Sequence, residues 1–258
     1  MKYFLQNLKN IVDFNLRRIF KLYRKNYSEQ NEPKDGLFDS PSLVDAEKRL
    51  VDKYNLEDLR NNSTRQNYLE NLYTIDLLDK YFPIAQTKNL RVLDIGSKNW
   101  FYAKGEYYFF KKYCETLVLD GIELDSKRVD TDFYSRVEVA KFHKKGLENT
   151  HYIEDDFLNH GEKYDYLIWF LPFVFEYPHL KWGLPSKYFK PEQMLEHAYK
   201  SLISSGLGEK IFVINQGEDE FVAQKALCEK LNIPYTPIGV VESEFLKYKY
   251  PRYLVLIG

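Results

Sequence analysis

Residues 91–102 read RVLDIGSKNWFY. An apolar pair, Val92 and Leu93, leads into Asp94, one spacer and Gly96; Lys98 and Trp100 then fill the next two alternate positions. A short apolar run that stops at an acid and a glycine reads as a strand whose carboxyl end enters a tight turn, where glycine lets the backbone approach a ligand. From residue 90 onward the same texture repeats, with short apolar runs alternating with helical stretches. That is the pattern of strand–helix units around a parallel sheet. Strand-like runs are RVLDIG, TLVLDGIEL, THYIEDD, YDYLIWFL and KIFVINQ, and helices are expected over 104–114, 191–203 and 219–231. Two closing runs, TPIGVVES and RYLVLIG, are joined by EFLKYKYP. A parallel crossover needs about a dozen residues or more, so this pair is expected to be an antiparallel hairpin.

In open sheets of this kind ligands sit beyond the carboxyl ends of the strands. The first strand ends in Asp94, Ile95 and Gly96, followed by Ser97; the second in Gly121, Ile122 and Glu123; the third in Asp155, Asp156 and Phe157; the fourth in Phe170, Leu171, Pro172 and Phe173. Over residues 88–258 this ordered set resembles the class I S-adenosylmethionine-dependent methyltransferases. The match lies in Asp94 and Gly96 of the first loop, in the acid Glu123 after the second strand, and in the acid and aromatic Asp156 and Phe157 after the third. The departures are Lys98 and Trp100, where the family carries further glycines. The resemblance implies an α/β, Rossmann-like methyltransferase fold: a mostly parallel seven-stranded sheet with an antiparallel C-terminal hairpin, preceded here by a helical N-terminal region. It also implies S-adenosylmethionine as cofactor, with Asp94, Gly96, Ser97, Glu123, Asp156 and Phe157 as the residues that hold it. Physically, the start of the helix after Gly96 offers free N–H groups to a carboxylate. Asp94 would orient the loop or meet the cationic methionyl end. Glu123 would accept both ribose hydroxyls, Asp156 would accept from an exocyclic amine, and Phe157 would pack near the adenine.

These departures bear on the loop and on the helix after it. Without glycine at 98 and 100 the loop is expected to use ordinary torsions there. The 27 residues from Gly96 to Glu123 exceed the roughly 20 of a dinucleotide-binding unit, and a long helix bearing Tyr107, Tyr108, Phe109 and Phe110 is expected to absorb the excess. A nicotinamide-dependent oxidoreductase is the rival enzyme class, but its loop wants G-x-G-x-x-G and GSKNWF supplies only the first glycine. A non-catalytic binding or scaffold protein is the rival outside enzymes, favoured by the imperfect loop and disfavoured by carboxylates at successive strand ends. The acceptor is expected to be a small or medium-sized molecule meeting the apolar run at 168–173. The Leu-Pro-Phe element there is similar to the Asn-Pro-Pro-aromatic element of amine methyltransferases but lacks its Asn and one Pro, so that substrate class is not carried over. Glu176, Tyr177, His179, Gln216 and Glu218 are candidates for a base, should the acceptor arrive protonated. His143, His151, His160 and His197 are scattered without ligand spacing, and no metal is expected.

Composition bounds the rest. The chain has 258 residues, 44% hydrophobic and 17% aromatic, enough for a large core. Cys114 and Cys228 stand far apart, which suits a reducing compartment, and no apolar run is long enough to span a bilayer. A cytoplasmic protein is expected. Charge is segregated: residues 1–26 carry seven Lys/Arg against Asp13, a net +6, which leaves −7 for the remainder of a chain whose total is −1. An acidic body disfavours nucleic acid as a partner. The basic segment has helical periodicity, with Leu5, Leu8, Val12, Leu16, Ile19, Phe20 and Tyr23 on one stripe. Its simpler reading is a helix packed on its own domain or on a second copy, its basic face solvated; the other is a contact with an anionic membrane surface. Residues 27–41 read as a polar linker, and helices resume at 42–54 and from Ser63 to Phe82. The chain thus divides into a helical region, 1–85, and a Rossmann-like cofactor-binding and catalytic domain, 86–258.

Overall fold

The structure, a computed structural model, describes residues 2–203, 208 and 210–258. Helices α1 (Lys2–Ile19), α2 (Pro41–Tyr54), α3 (Glu57–Asn61) and α4 (Arg65–Tyr81) precede the first strand, β1 (Thr87–Ile95). There follow α5 (Ala103–Lys111), β2 (Cys114–Ile122), α6 (Arg136–His143), β3 (Thr150–Ile153), β4 (Tyr166–Phe170), α7 (Glu176–Lys181) and α8 (Pro191–Lys200). The last elements are β5 (Lys210–Gln216), α9 (Glu218–Lys230), β6 (Tyr235–Val241) and β7 (Arg252–Ile257).

The strands form one seven-stranded sheet in the order β3-β2-β1-β4-β5-β7-β6. Every pairing from β3 to β5 is parallel, and β7 lies antiparallel to both β5 and β6. The order in which strands are added to the sheet reverses between the parallel strands β1 and β4, so the carboxyl ends of these two strands flank the crevice where such sheets bind ligands.

Side chains alternate across the sheet with period two, and both faces are buried. On one face Val92, Leu119, Ile168, Phe212 and Leu254 pack against Leu50, Tyr68, Leu72 and Phe109 from α2, α4 and α5. On the other, Leu93, Leu167, Val213 and Val255 pack against Leu195, Ala198, Phe221 and Cys228 from α8 and α9. Helices α2 and α4 of the N-terminal region, with α5, therefore form one of the two helical layers that bury the sheet. Their ends follow local rules: Ser40 and Thr64 cap α2 and α4 by accepting the N–H groups of Leu43 and Asn67, and Pro41 occupies the first turn of α2.

Two expectations fail in this region. The helix after β1 is short, ending at Lys111, and the long interval to Glu123 is taken up instead by the 96–102 loop and the nine residues of β2. The apolar stripe of α1 does not face the protein: Leu5, Leu8, Val12, Leu16 and Ile19 are exposed. The helix docks by another face, where hydrogen bonds outweigh apolar burial. Asn10 donates to the carbonyls of Leu180 and Leu184 at 2.8 and 2.9 Å. Asn7 accepts the N–H of Ser186 at 2.8 Å, Phe14 is buried against Tyr188, and Arg17 pairs with Asp125 at 2.8 Å. The segment at 27–41 is likewise anchored. Lys34 is buried and donates to the carbonyls of Glu32 and Ser63, and Tyr27 packs edge-on against Tyr134 and Phe142.

Candidate active site

The register of β1 with β2 sets Asp94 opposite Gly121 and Ile95 opposite Ile122. Beyond that pair the chain folds over the end of β2, with the N–H groups of Gly96 and Ser97 both donating to the Ile122 carbonyl, at 2.8 and 3.2 Å. The loop then takes left-handed torsions at alternate residues: φ is +72° at Gly96, +56° at Lys98 and +46° at Trp100. Ordinary torsions at 98 and 100 are thus not what the chain adopts. A side chain in this region costs about 1–2 kcal/mol, and the surroundings hold it there. The Lys98 N–H donates to Glu123 Oε2 at 3.0 Å, and its carbonyl accepts from the Tyr152 hydroxyl. The Trp100 indole is fully buried beneath the loop and donates to Glu106 Oε2 at 2.9 Å. Gly121 makes room for it, since a Cβ at 121 would stand 2.9 Å from the indole Cε2 and 3.0 Å from Ser97 Oγ. At Gly96, by contrast, a Cβ would meet nothing within 4 Å, so this side of the turn is open.

Beneath the loop Asp94 is completely buried, with Oδ2 accepting from the Tyr102 hydroxyl at 3.0 Å. Burial pushes its pKa up to about 8; the Tyr102 hydrogen bond opposes that shift and the nearby Glu123 charge adds to it. Among the described residues Asp94 Oδ1, Ser97 Oγ and Arg136 Nη2 are buried without a hydrogen-bond partner. Buried polar atoms are nearly always satisfied, and these three leave unused bonding capacity around the loop, as does Glu106 Oε1 beside Trp100.

Glu123 is already engaged. Besides the Lys98 N–H it accepts the Asp125 N–H at 2.7 Å and Arg136 Nη1 at 3.2 Å on Oε1. A carboxylate offers about four acceptor directions, which leaves room for about one more donor rather than both hydroxyls of a ribose. The cation of Arg136 is held in turn near the face of Trp182, 5.6 Å away, a ring that Lys98 also approaches at 5.5 Å.

The remaining sequence candidates scatter. Asp156, half-buried, caps its own 3-10 turn by accepting the Leu158 N–H at 3.1 Å. Phe157 is buried in the core layer under α8, edge-on to His197 at 4.7 Å. His179 is buried, bonded to the Pro185 carbonyl at 2.9 Å, and lowered in pKa chiefly by desolvation. Glu176 and Tyr177 are exposed on α7, Gln216 binds Arg252 at 3.0 Å, and Glu218 is exposed at the start of α9.

Beside the loop lies a cavity of about 1160 Å³. Lys98, Asn99, Phe101 and Tyr102 form one wall, and Phe170, Leu171 and Ile214 at the ends of β4 and β5 form the floor. The other walls come from Tyr27, Glu29 and Glu32 of the anchored segment, from Thr64 to Thr74 at the start of α4, and from Tyr248 and Arg252. Burial raises the pKa of Glu29, which accepts from the Tyr27 hydroxyl at 2.7 Å. These residues are the ones that sequence reasoning misses. Apart from the loop itself, only Phe170 and Leu171, at the end of a recognised strand, carry a local signal; the others come from segments as far apart in the chain as Tyr27 and Arg252, which folding brings to the site.

No protein-family model and no curated protein matches the chain. Among solved structures it is similar to an S-adenosylmethionine-dependent methyltransferase from Aquifex aeolicus, at 17% identity and TM-score 0.50 over 85% of this chain and 99% of that one. It also matches precorrin-6y C5,15-methyltransferase from Geobacter metallireducens, at 12% identity and TM-score 0.47 over 72% of this chain and 86% of that one. A third match is magnesium protoporphyrin IX methyltransferase from Synechocystis PCC 6803, at 13% identity and TM-score 0.45 over 85% of this chain and 97% of that one. With its sheet order, its reversed β7 and the first of these likenesses, the chain has the Rossmann-like α/β fold of the class I S-adenosylmethionine-dependent methyltransferases.

Proposed function

We propose that this chain is an S-adenosylmethionine-dependent methyltransferase acting on a small or medium-sized acceptor. The observation that carries the reading is the loop at 96–100, which keeps the left-handed torsions of a glycine-rich loop with Lys98 and Trp100 in place of glycine. Strain of this kind persists where surrounding structure over-determines it, and it gathers at ligand sites. A scaffold without a ligand has no use for it, nor for the unpartnered buried atoms of Asp94 and Ser97.

The residues present fit the cofactor with one adjustment. The N–H groups of Gly96 and Ser97 are taken by the Ile122 carbonyl rather than free, so the unpartnered Ser97 hydroxyl would meet its methionyl carboxylate and Asp94 its ammonium group, while Asp156, whose Oδ1 caps its own turn, would offer Oδ2 to the exocyclic amine. Glu123 would accept one ribose hydroxyl, and a second would require the 3.2 Å contact with Arg136 to lengthen. When bound, this cofactor supplies a methyl group already activated on a sulfonium, open to in-line displacement. The chain's own part is then mainly positioning and exclusion of water. Tyr102 bridges the two sites, its hydroxyl on Asp94 and its ring 5.3 Å from Phe170 on the cavity floor. The segment with Tyr27 and Glu29 roofs the cavity, and Glu29, with its raised pKa, is the carboxylate suited to take a proton from an acceptor that arrives protonated.

The test is calorimetric titration with S-adenosylmethionine, S-adenosylhomocysteine and NAD, on the native chain and on Gly121→Ala, which drives a methyl group into Trp100 and Ser97. Saturable binding of both sulfur nucleotides but not NAD is expected, weakened about tenfold or more by the substitution, or ~1.4 kcal/mol. A folded native chain that binds neither sulfur nucleotide would refute the reading in favour of the scaffold, and one that binds NAD alone would favour the oxidoreductase.

A further inference from the structure

Of the twenty large apolar side chains exposed among the described residues, nine lie between Tyr3 and Leu22. They are not scattered. Leu5, Leu8, Val12, Leu16 and Ile19 follow one another at helical spacing along the outer face of α1, with Leu5 67% and Ile19 70% exposed. The helix is eighteen residues long, and the stripe from Leu5 to Ile19 runs for roughly 21 Å of it. The opposite face is fastened to the protein by the bonds of Asn7, Asn10 and Arg17. The stripe is therefore presented outward by specific contacts.

We infer that α1 is a docking helix for the surface of an anionic lipid bilayer. Three observations select this occupant. The first is charge: the segment that carries the stripe has a net +6, with Lys9, Arg18, Lys21, Arg24 and Lys25 exposed on it, whereas the body behind is acidic. Two copies meeting through this helix would bring the two basic segments together, while an anionic surface neutralises them. The second is shape. The stripe stands on the solvent-exposed face of a two-sided helix that is not long and apolar enough to cross a membrane, the form that lies in the interface with its apolar face among the headgroups. The third is placement. Arg17 reaches Asp125, just beyond the end of β2, and Asn10 reaches Leu180 and Leu184, beyond the end of β4. The helix thus crosses the end of the sheet at which the candidate active site opens, and docking brings that end to the lipid surface.

The experiment is co-sedimentation of the full chain with phosphatidylcholine vesicles, with and without about 30% phosphatidylserine. Two double variants at exposed positions accompany it, Leu8→Glu with Val12→Glu, and Lys21→Glu with Lys25→Glu, each checked for folding by circular dichroism. The native chain should partition onto the anionic vesicles and be released by salt. The first variant should lose about tenfold or more of that partitioning and the second should bind more weakly. Failure of the folded native chain to bind anionic vesicles overturns the inference. So does equal binding to neutral vesicles that is unaffected by the lysine substitutions, and so does a dimer in sedimentation velocity that the Leu8→Glu, Val12→Glu variant dissociates while vesicles remain unbound. None of these readouts depends on nucleotide binding.

Discussion

At the scale of single residues the decisive group is Asp94. Its carboxyl, held at about 8 against an ordinary 3.8, keeps in the folded chain a proton that the unfolded chain has lost. Below 3.8 both states are protonated and nothing is lost; as pH rises from there toward 8, the folded state is progressively disfavoured. Asp94→Asn removes this dependence. Its melting temperature relative to the native chain should therefore rise between about pH 5 and about pH 8, measured by calorimetric scans. A cation bound beside Asp94 favours the ionised form. The affinity for S-adenosylmethionine should thus climb with pH toward 8, with proton release visible as a buffer-dependent heat. S-adenosylhomocysteine, which keeps the ammonium group set against Asp94, should show the same direction of change. A flat pH profile for both ligands would place their charge elsewhere. Asp94, Gly96 and Glu123 are legible as candidates because strand ends announce themselves in sequence. The bonds that occupy Glu123 are not, since Arg136 and the Lys98 N–H reach it only through the fold.

At the scale of elements, the contact that positions the loop is between α4 and α5. Asn67 and Asn71, both buried on α4, donate to the Phe101 carbonyl, and Asn71 Oδ1 accepts the Gly105 N–H at 2.6 Å. The helices approach so closely that a Cβ on Gly105 would stand 2.9 Å from the Asn71 backbone carbonyl oxygen. Gly105→Ala should destabilise the chain by about 1–3 kcal/mol in denaturant unfolding and shift the 101–105 turn. An unchanged midpoint would mean that the crossing is looser than described. Element types are easier to read than their ends. KIFVINQ is β5 residue for residue, whereas the helix expected to reach Cys114 stops at Lys111, because Tyr113 prolongs an apolar pattern that the backbone has already left. α6, with the sequence RVEVAKFH, alternates like a strand and gives no clear helical signal.

For the whole molecule, the N-terminal helices share a core with the sheet, as Leu50, Tyr68 and Leu72 meet Val92, Ile168 and Phe212. A chain of residues 86–258 alone would expose that apolar face. It should bind a hydrophobic dye and lose near-ultraviolet ellipticity, and the full chain should unfold in one transition. A truncated chain with native spectra would show instead that the region at 86–258 is self-sufficient.

Local sequence carries the order of the strands along the chain, the reversal of the last strand pair, and the acids and glycine that close the early strands. Each of these rests on periodicity or turn chemistry within a few residues. Tertiary contacts set the torsions at Lys98 and Trp100, because a left-handed backbone there is held by Glu123 and Glu106 rather than by the residues' own preferences. Such contacts also set which face of α1 is free. A helical stripe records that a helix is two-sided, but the side that docks is chosen by hydrogen bonds from Asn7 and Asn10 to backbone more than 160 residues away.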